Sequence, residues 1–239
     1  MKLYSKGKNN KQESANAVPN QRRHILNKNS SFHIKEAYKT LRTNIRFFLH
    51  GNNCKKICIT SSAMGEGKSI TVLNLAISFA EDGKKVLLID ADMRRPALAR
   101  LLVEKAAPGL SNVLAGLASV DDAIRESVYP NLDILFSGDI PPNPSELLGS
   151  EEMSKMLDAL SEKYDYILVD TPPINMVTDA CVVASILDGV LYLVRQNKTE
   201  KDSVRRGINQ LELTGAKLLG FVMNGIDEEN DKRYSSEYR

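Results

Sequence analysis

Residues 56–69 read Lys-Ile-Cys-Ile-Thr-Ser-Ser-Ala-Met-Gly-Glu-Gly-Lys-Ser, an apolar run that breaks into a glycine-punctuated loop and ends on Lys-Ser. The run predicts a buried strand over 56–60, and apolar spacing after the loop predicts a helix to about Asp82, closed by Gly83. A loop in that setting is a phosphate cradle, because unpaired backbone N–H groups at the positive end of a helix attract anions. Gly65 and Gly67 permit a tight loop and close backbone approach. Lys68 can reach the β- and γ-phosphates, and Ser69 can ligate Mg²⁺. The pattern GxxxxGK[ST] is met except at its first position, where Ser62 stands for the usual Gly. The cradle therefore comprises Ala63, Met64, Gly65, Glu66, Gly67, Lys68, Ser69 and Ile70, and its ligand is a nucleoside triphosphate with Mg²⁺.

The remaining pattern tells what surrounds that loop. Helical spacing over 32–50 brings Ile34, Ala37, Leu41, Ile45, Phe48 and Leu49 to one side, with Ser30 or Ser31 as cap. Apolar strands are expected at 85–90, 132–136, 166–170, 189–195 and 217–224. Helices are expected over 144–163, near 178–187 and over 200–214, with short helices in the stretch up to 128. Strands alternate with helices, and most are apolar throughout. This predicts a doubly wound, mainly parallel α/β sheet covered on both faces.

Three carboxylates end buried strands: Asp90 and Asp92 after Lys-Val-Leu-Leu-Ile, and Asp170 after Tyr-Ile-Leu-Val. In parallel α/β sheets, ligands collect at the carboxyl ends of strands. Mg²⁺ prefers hard oxygen ligands and keeps several waters, so these acids suit it directly or through water. Arg94 and Arg95 follow at once, placed either for phosphate, for an acid of a neighbouring subunit, or for a solvated ion pair. Asn224 ends the last strand, where it serves either adenine or a turn.

Net charge is +2, which singles out no partner, but its distribution is uneven. Residues 1–30 hold seven Lys/Arg against Glu13 alone, leaving the remainder at about −4. That head is rich in Asn, Gln and Ser and poor in apolar residues, so it reads as a flexible segment. The domain is expected over 31–226, and 227–239 reads as a charged, flexible tail. Cys54, Cys58 and Cys181 form no framework and read as reduced packing residues. No apolar run reaches the roughly 18–20 residues that span a bilayer.

The combination of ICITSSAMGEGKS, LLIDADMR and ILVDTPP resembles the bacterial protein-tyrosine kinases of capsule and exopolysaccharide operons, the BY-kinase family of CpsD/CapB type. These segments correspond to its Walker A, Walker A′ and Walker B motifs, and PPNPSELL at 141–148 is similar to a stretch common in that family. The resemblance covers roughly 33–239. It implies a MinD/ParA-like P-loop fold, ATP and Mg²⁺ as cofactors, Lys68, Asp90, Asp92 and Asp170 as catalytic residues, and Ser69 with those three acids at the metal. Glu36, Lys39 and Arg42 resemble an oligomerisation motif ExxRxxR, with Lys39 in place of the first Arg, which keeps the charge but loses bidentate pairing. The tyrosine-rich tail is reduced to Tyr234 and Tyr238, the implied phosphoacceptors. The resemblance further implies autophosphorylation in trans within a homo-oligomeric ring, for instance an octamer. It also implies other protein substrates, a cognate tyrosine phosphatase, and activation by the cytoplasmic tail of a membrane adaptor that recruits a cytoplasmic chain to the membrane. Two other classes share the fold. A ParA/MinD-like ATPase carries Lys at the position of Ala63, and a nucleotide-binding scaffold needs none of the intact acids.

Overall fold

The computed structural model describes residues 22–51 and 53–226. Tyr234, Tyr238 and most of the basic head lie outside the described residues.

Seven strands form one sheet in the order β3-β4-β2-β5-β1-β6-β7. They are β1 (Lys55–Ser61), β2 (Val86–Asp90), β3 (Ile124–Glu126), β4 (Leu132–Leu135), β5 (Tyr166–Asp170), β6 (Gly189–Arg195) and β7 (Leu218–Asn224). All pairings are parallel except β3 with β4. Every residue of β2 and β5 is buried, as strands covered on both faces require. One face carries α1 (Phe32–Phe48), α2 (Lys68–Glu81) and α3 (Leu98–Leu102), whose core side chains include Ile45, Val72, Leu75, Phe79 and Leu101. The other carries α4 (Leu110–Leu114), α6 (Pro144–Leu148), α7 (Glu151–Ser161), α8 (Asp179–Ala184) and α9 (Lys201–Leu213), with Met153, Leu157, Val183 and Leu211 inside. A short helix α5 (Val120–Ala123) precedes β3.

Two elements depart from the sequence expectation. The helix expected over 144–163 is two helices: Gly149 ends the first, and the Ser150 hydroxyl caps the second by accepting from the Met153 N–H. Ser150 followed by Glu151 and Glu152 is a helix start placed inside a continuous apolar period. The antiparallel edge strand β3 replaces part of the expected helical stretch, and its three residues are too few to show a period of two. Within the stretch read as a basic head, Ile25 and Leu26 lie in the core. Buried Asn74 of α2 fastens them: its Oδ1 accepts the Leu26 N–H at 2.7 Å, and its Nδ2 donates to the His24 carbonyl at 2.8 Å.

Candidate functional site

The strand register sets the site. Ile59 of β1 and Asp90 of β2 both pair with Asp170, so three adjacent strands end together at the phosphate loop. Gly67 caps α2 with a φ of +104°, a left-handed conformation that Gly adopts without steric cost. A side chain there would also collide: an added Cβ would lie 2.2 Å from the Asn224 Nδ2. Gly67→Ala is therefore expected to weaken nucleotide binding at least tenfold, read by fluorescent-nucleotide titration. Wild-type affinity in that variant would refute the close approach.

The loop carbonyls are held from outside. Arg195 Nη1 donates to the Gly65 carbonyl at 3.0 Å, and Lys198 Nζ to the Met64 and Gly65 carbonyls at 3.2 and 3.1 Å. Asn224 Nδ2 donates to the Glu66 carbonyl at 2.8 Å. Buried Glu66 accepts the Ala63 N–H at 3.0 Å and the Thr199 hydroxyl. Ser62, standing where the pattern expects Gly, bonds the buried Tyr192 hydroxyl at 2.8 Å. With their carbonyls occupied on one side, the loop N–H groups after that of Ala63 can serve an anion on the other.

Lys68 is 7% exposed, and burial lowers its pKa against the pull of Asp170, Asp92 and Glu66. Asp90 and Asp170 are fully buried neighbours on adjacent strands. Burial, then the charge of Asp170, raises the Asp90 carboxyl well above its usual range. Asp90 is nevertheless committed to backbone, accepting the Asp92 and Leu98 N–H groups at 3.2 and 3.1 Å. Burial lifts Asp170 to about 7, moderated by the charge of Lys68. Both Asp170 oxygens are buried without a hydrogen-bond partner among the described residues. Such a pair beside Ser69 fits a hard cation that brings its own waters. Asp92 lines the cavity, with one oxygen accepting the Arg95 N–H at 3.0 Å, and burial raises its pKa.

The cavity beside Lys68 holds about 280 Å³. Its polar wall is Gly67, Lys68, Ser69 and Asp92, and its apolar wall is Ile70, Leu101, Pro172, Pro173, Met176 and Val177. A larger depression at the opposite, amino ends of the strands, around Lys56 and Asp188, contains none of the loop residues. The two arginines after Asp92 part company. Arg94 forms a two-pronged pair with fully buried Asp179, at 2.8 and 3.0 Å, and so braces α8. Arg95 is exposed at the cavity rim.

An AAA domain family model matches residues 54–214. Tyrosine-protein kinase YwqD of Bacillus subtilis (strain 168) is 43% identical over 190 residues, covering 80% of each chain. The putative tyrosine-protein kinase CapB of Staphylococcus aureus is 37% identical over 205 residues, covering 86% of this chain and 90% of that one. The crystal structure of the chimerical protein CapA2B2 superposes with a TM-score of 0.77 at 39% identity, over 82% of this chain and 86% of that one. The chain belongs to the CpsD/CapB family of bacterial tyrosine-protein kinases.

In this family member the fold brings Lys68, Ser69, Asp90, Asp92 and Asp170 together around one loop end, along with Ala63, Met64, Gly65, Glu66, Gly67 and Ile70. Asn224 Nδ2 meets the loop backbone, while its Oδ1 accepts the Gly225 N–H at 2.8 Å, as the turn reading expects. Glu36 and Lys39 pair with each other on the exposed side of α1 at 2.7 Å. Arg42 instead turns inward to the Ser78 carbonyl and to Asp82, the latter at 3.0 Å. Sequence reasoning missed Arg195, Lys198 and Thr199, whose only local signal is their place just after a buried strand. Among the described residues no helix is long and apolar enough to cross a membrane.

Proposed function

We propose that the chain is an ATP-dependent protein-tyrosine kinase whose acceptors are Tyr234 and Tyr238 of a second copy's tail. The observation carrying this reading is the apolar wall that abuts Lys68, Ser69 and Asp92. An aromatic ring can lie against Pro172, Pro173, Met176 and Val177, whereas a hydrolytic ATPase needs only a water there.

The acceptor Oη attacks the γ-phosphorus, and the bond from that phosphorus to the β–γ bridging oxygen breaks, releasing ADP. Phosphoryl transfer of this kind depends mainly on positioning and charge neutralisation. Lys68 and the loop N–H groups hold the β- and γ-phosphates. Ser69 and Asp170 would hold Mg²⁺, which would supply charge screening for the phosphate oxygens. The tyrosine proton goes to Asp92 rather than Asp90. Asp92 opens into the cavity and its raised pKa suits proton uptake, while both Asp90 oxygens serve backbone N–H groups. Ala63, where the ParA/MinD class carries Lys, supports the kinase over that ATPase.

By the family resemblance, a membrane adaptor with a cytoplasmic tail activates the chain at the inner face of the membrane, a cognate phosphatase reverses the modification, and copies assemble as a ring regulating capsule or exopolysaccharide synthesis. Incubation with Mg-ATP is expected to give weak phosphorylation alone and strong phosphorylation with an adaptor tail peptide, with phosphate located on Tyr234 or Tyr238 by mass spectrometry. Equal activity with and without the peptide would remove the activator. ADP formation without phosphotyrosine under any activator would favour the ATPase.

A further inference from the structure

Resting on the kinase reading, we infer that a cationic rim beside the cavity recognises acidic residues ahead of the acceptor tyrosine, and that its occupant is the C-terminal tail of a second copy. Arg95 and Arg100 stand at the edge of the cavity that contains Lys68. Arg100 also belongs to an adjoining open groove of about 690 Å³, which continues over Lys105, Arg22 and Arg125 with Glu104 as its one acid. The groove is built rather than accidental. The Arg22 guanidinium donates to the Arg100 carbonyl at 2.9 Å, and that of Arg125 donates to the Lys105 and Ala107 carbonyls, ending over the Phe136 ring.

These cations contrast with their neighbour Arg94, which is spent on buried Asp179. Among the described residues, Arg95, Arg100 and Lys105 form no ion pair, although Arg95 does reach the Met64 sulfur at 3.1 Å. Cations gathered in a groove whose one acid is Glu104 raise the local concentration of an anionic partner.

The chain carries a matching partner. Its last residues, 227–239, read DEENDKRYSSEYR, in which four of the first five are acidic. With Tyr234 at Lys68, an extended chain puts Asp231 about 10 Å and Asp227 about 24 Å back along the tail. Those acids therefore fall outside the cavity mouth, where the rim runs past Arg100 to Lys105. Lys232 and Arg233 fall between, toward the phosphates and the three carboxylates.

The test is fluorescence anisotropy of a labelled peptide of residues 227–239, titrated with the full chain plus Mg²⁺ and a non-hydrolysable ATP analogue. Replacing Asp227, Glu228, Glu229 and Asp231 by their amides is expected to raise Kd about tenfold, with the difference shrinking as salt rises. The double variant Arg100→Glu, Lys105→Glu is expected to bind the native peptide about tenfold more weakly, and to recover affinity for a peptide with lysines at the four acidic positions. Equal Kd for native and amide peptides, or no recovery in the swapped pair, would overturn the rim. The kinase reading is judged separately by phosphotyrosine on the peptide. An amide peptide bound and phosphorylated as well as the native one sinks the rim and leaves the kinase standing.

Discussion

Lys68→Met is expected to reduce phosphotyrosine formation about 10²- to 10³-fold, with no phosphate detected on Tyr234 or Tyr238 by mass spectrometry. The size follows from losing one fixed cation in a site screened from water, where charge on a transferring phosphoryl group has little other support. Lys68 is buried and faces Asp170, Asp92 and Glu66, so its charge is directed at the loop end rather than dispersed into solvent. Methionine fills similar volume, which limits the packing change. Melting curves taken alongside would separate a folding defect from a chemical one. Phosphorylation within threefold of wild type in a well-folded variant would remove Lys68 from the reaction.

The second large effect concerns stability and pH. Asp170 has a folded pKa of about 7, raised by burial. An acid with a raised folded pKa binds more protons in the folded chain than in the unfolded one between about pH 4 and 7. Folding therefore weakens as pH rises through that window, and the full penalty is present above it. Asp170→Asn removes the charge and keeps the shape. In the absence of nucleotide the variant is expected to melt higher than wild type. Its advantage should grow between pH 5 and pH 8 by on the order of 2 kcal/mol, or about 5 °C. Mg²⁺ with nucleotide should reverse the order, because only the wild type retains the carboxylate that a cation rewards. A difference in melting temperature that is flat from pH 5 to pH 8 would show that Asp170 is not the titrating group.

Much of this site can be read along the chain because its parts are local. Lys68 and Ser69 follow their strand at fixed spacing, and Asp90, Asp92 and Asp170 each close an apolar run whose burial leaves an acid no packing role. The parallel sheet likewise follows from apolar strands alternating with helices. What is hidden is whatever depends on distant parts of the chain meeting. Arg195, Lys198 and Asn224 bind loop carbonyls about 130 to 158 residues away, with separations that no local period encodes. The Arg94–Asp179 pair, 85 residues apart, turns one of two adjacent exposed arginines into a brace and leaves the other without an ion pair among the described residues. Nothing in the dipeptide itself distinguishes them. Ser150 escaped for a different reason: apolar positions on both sides stay in phase, so the period runs through a real helix start.

The strand order has a directional meaning. β7 is one edge of the sheet, and the tail begins three residues beyond its last residue, Asn224. The cavity instead opens toward α3, which follows β2, four strand positions inward and about 19 Å across the sheet. On the proposed kinase reading, the chain leads into its tail at one flank, and the cavity that would accept a tyrosine opens at another. On that reading, a copy whose two flanks meet two different neighbours makes heterologous, head-to-tail contacts. Contacts of that polarity can continue from copy to copy until the rotation closes them, so the number of copies in a closed assembly is set by an angle rather than by any special subunit.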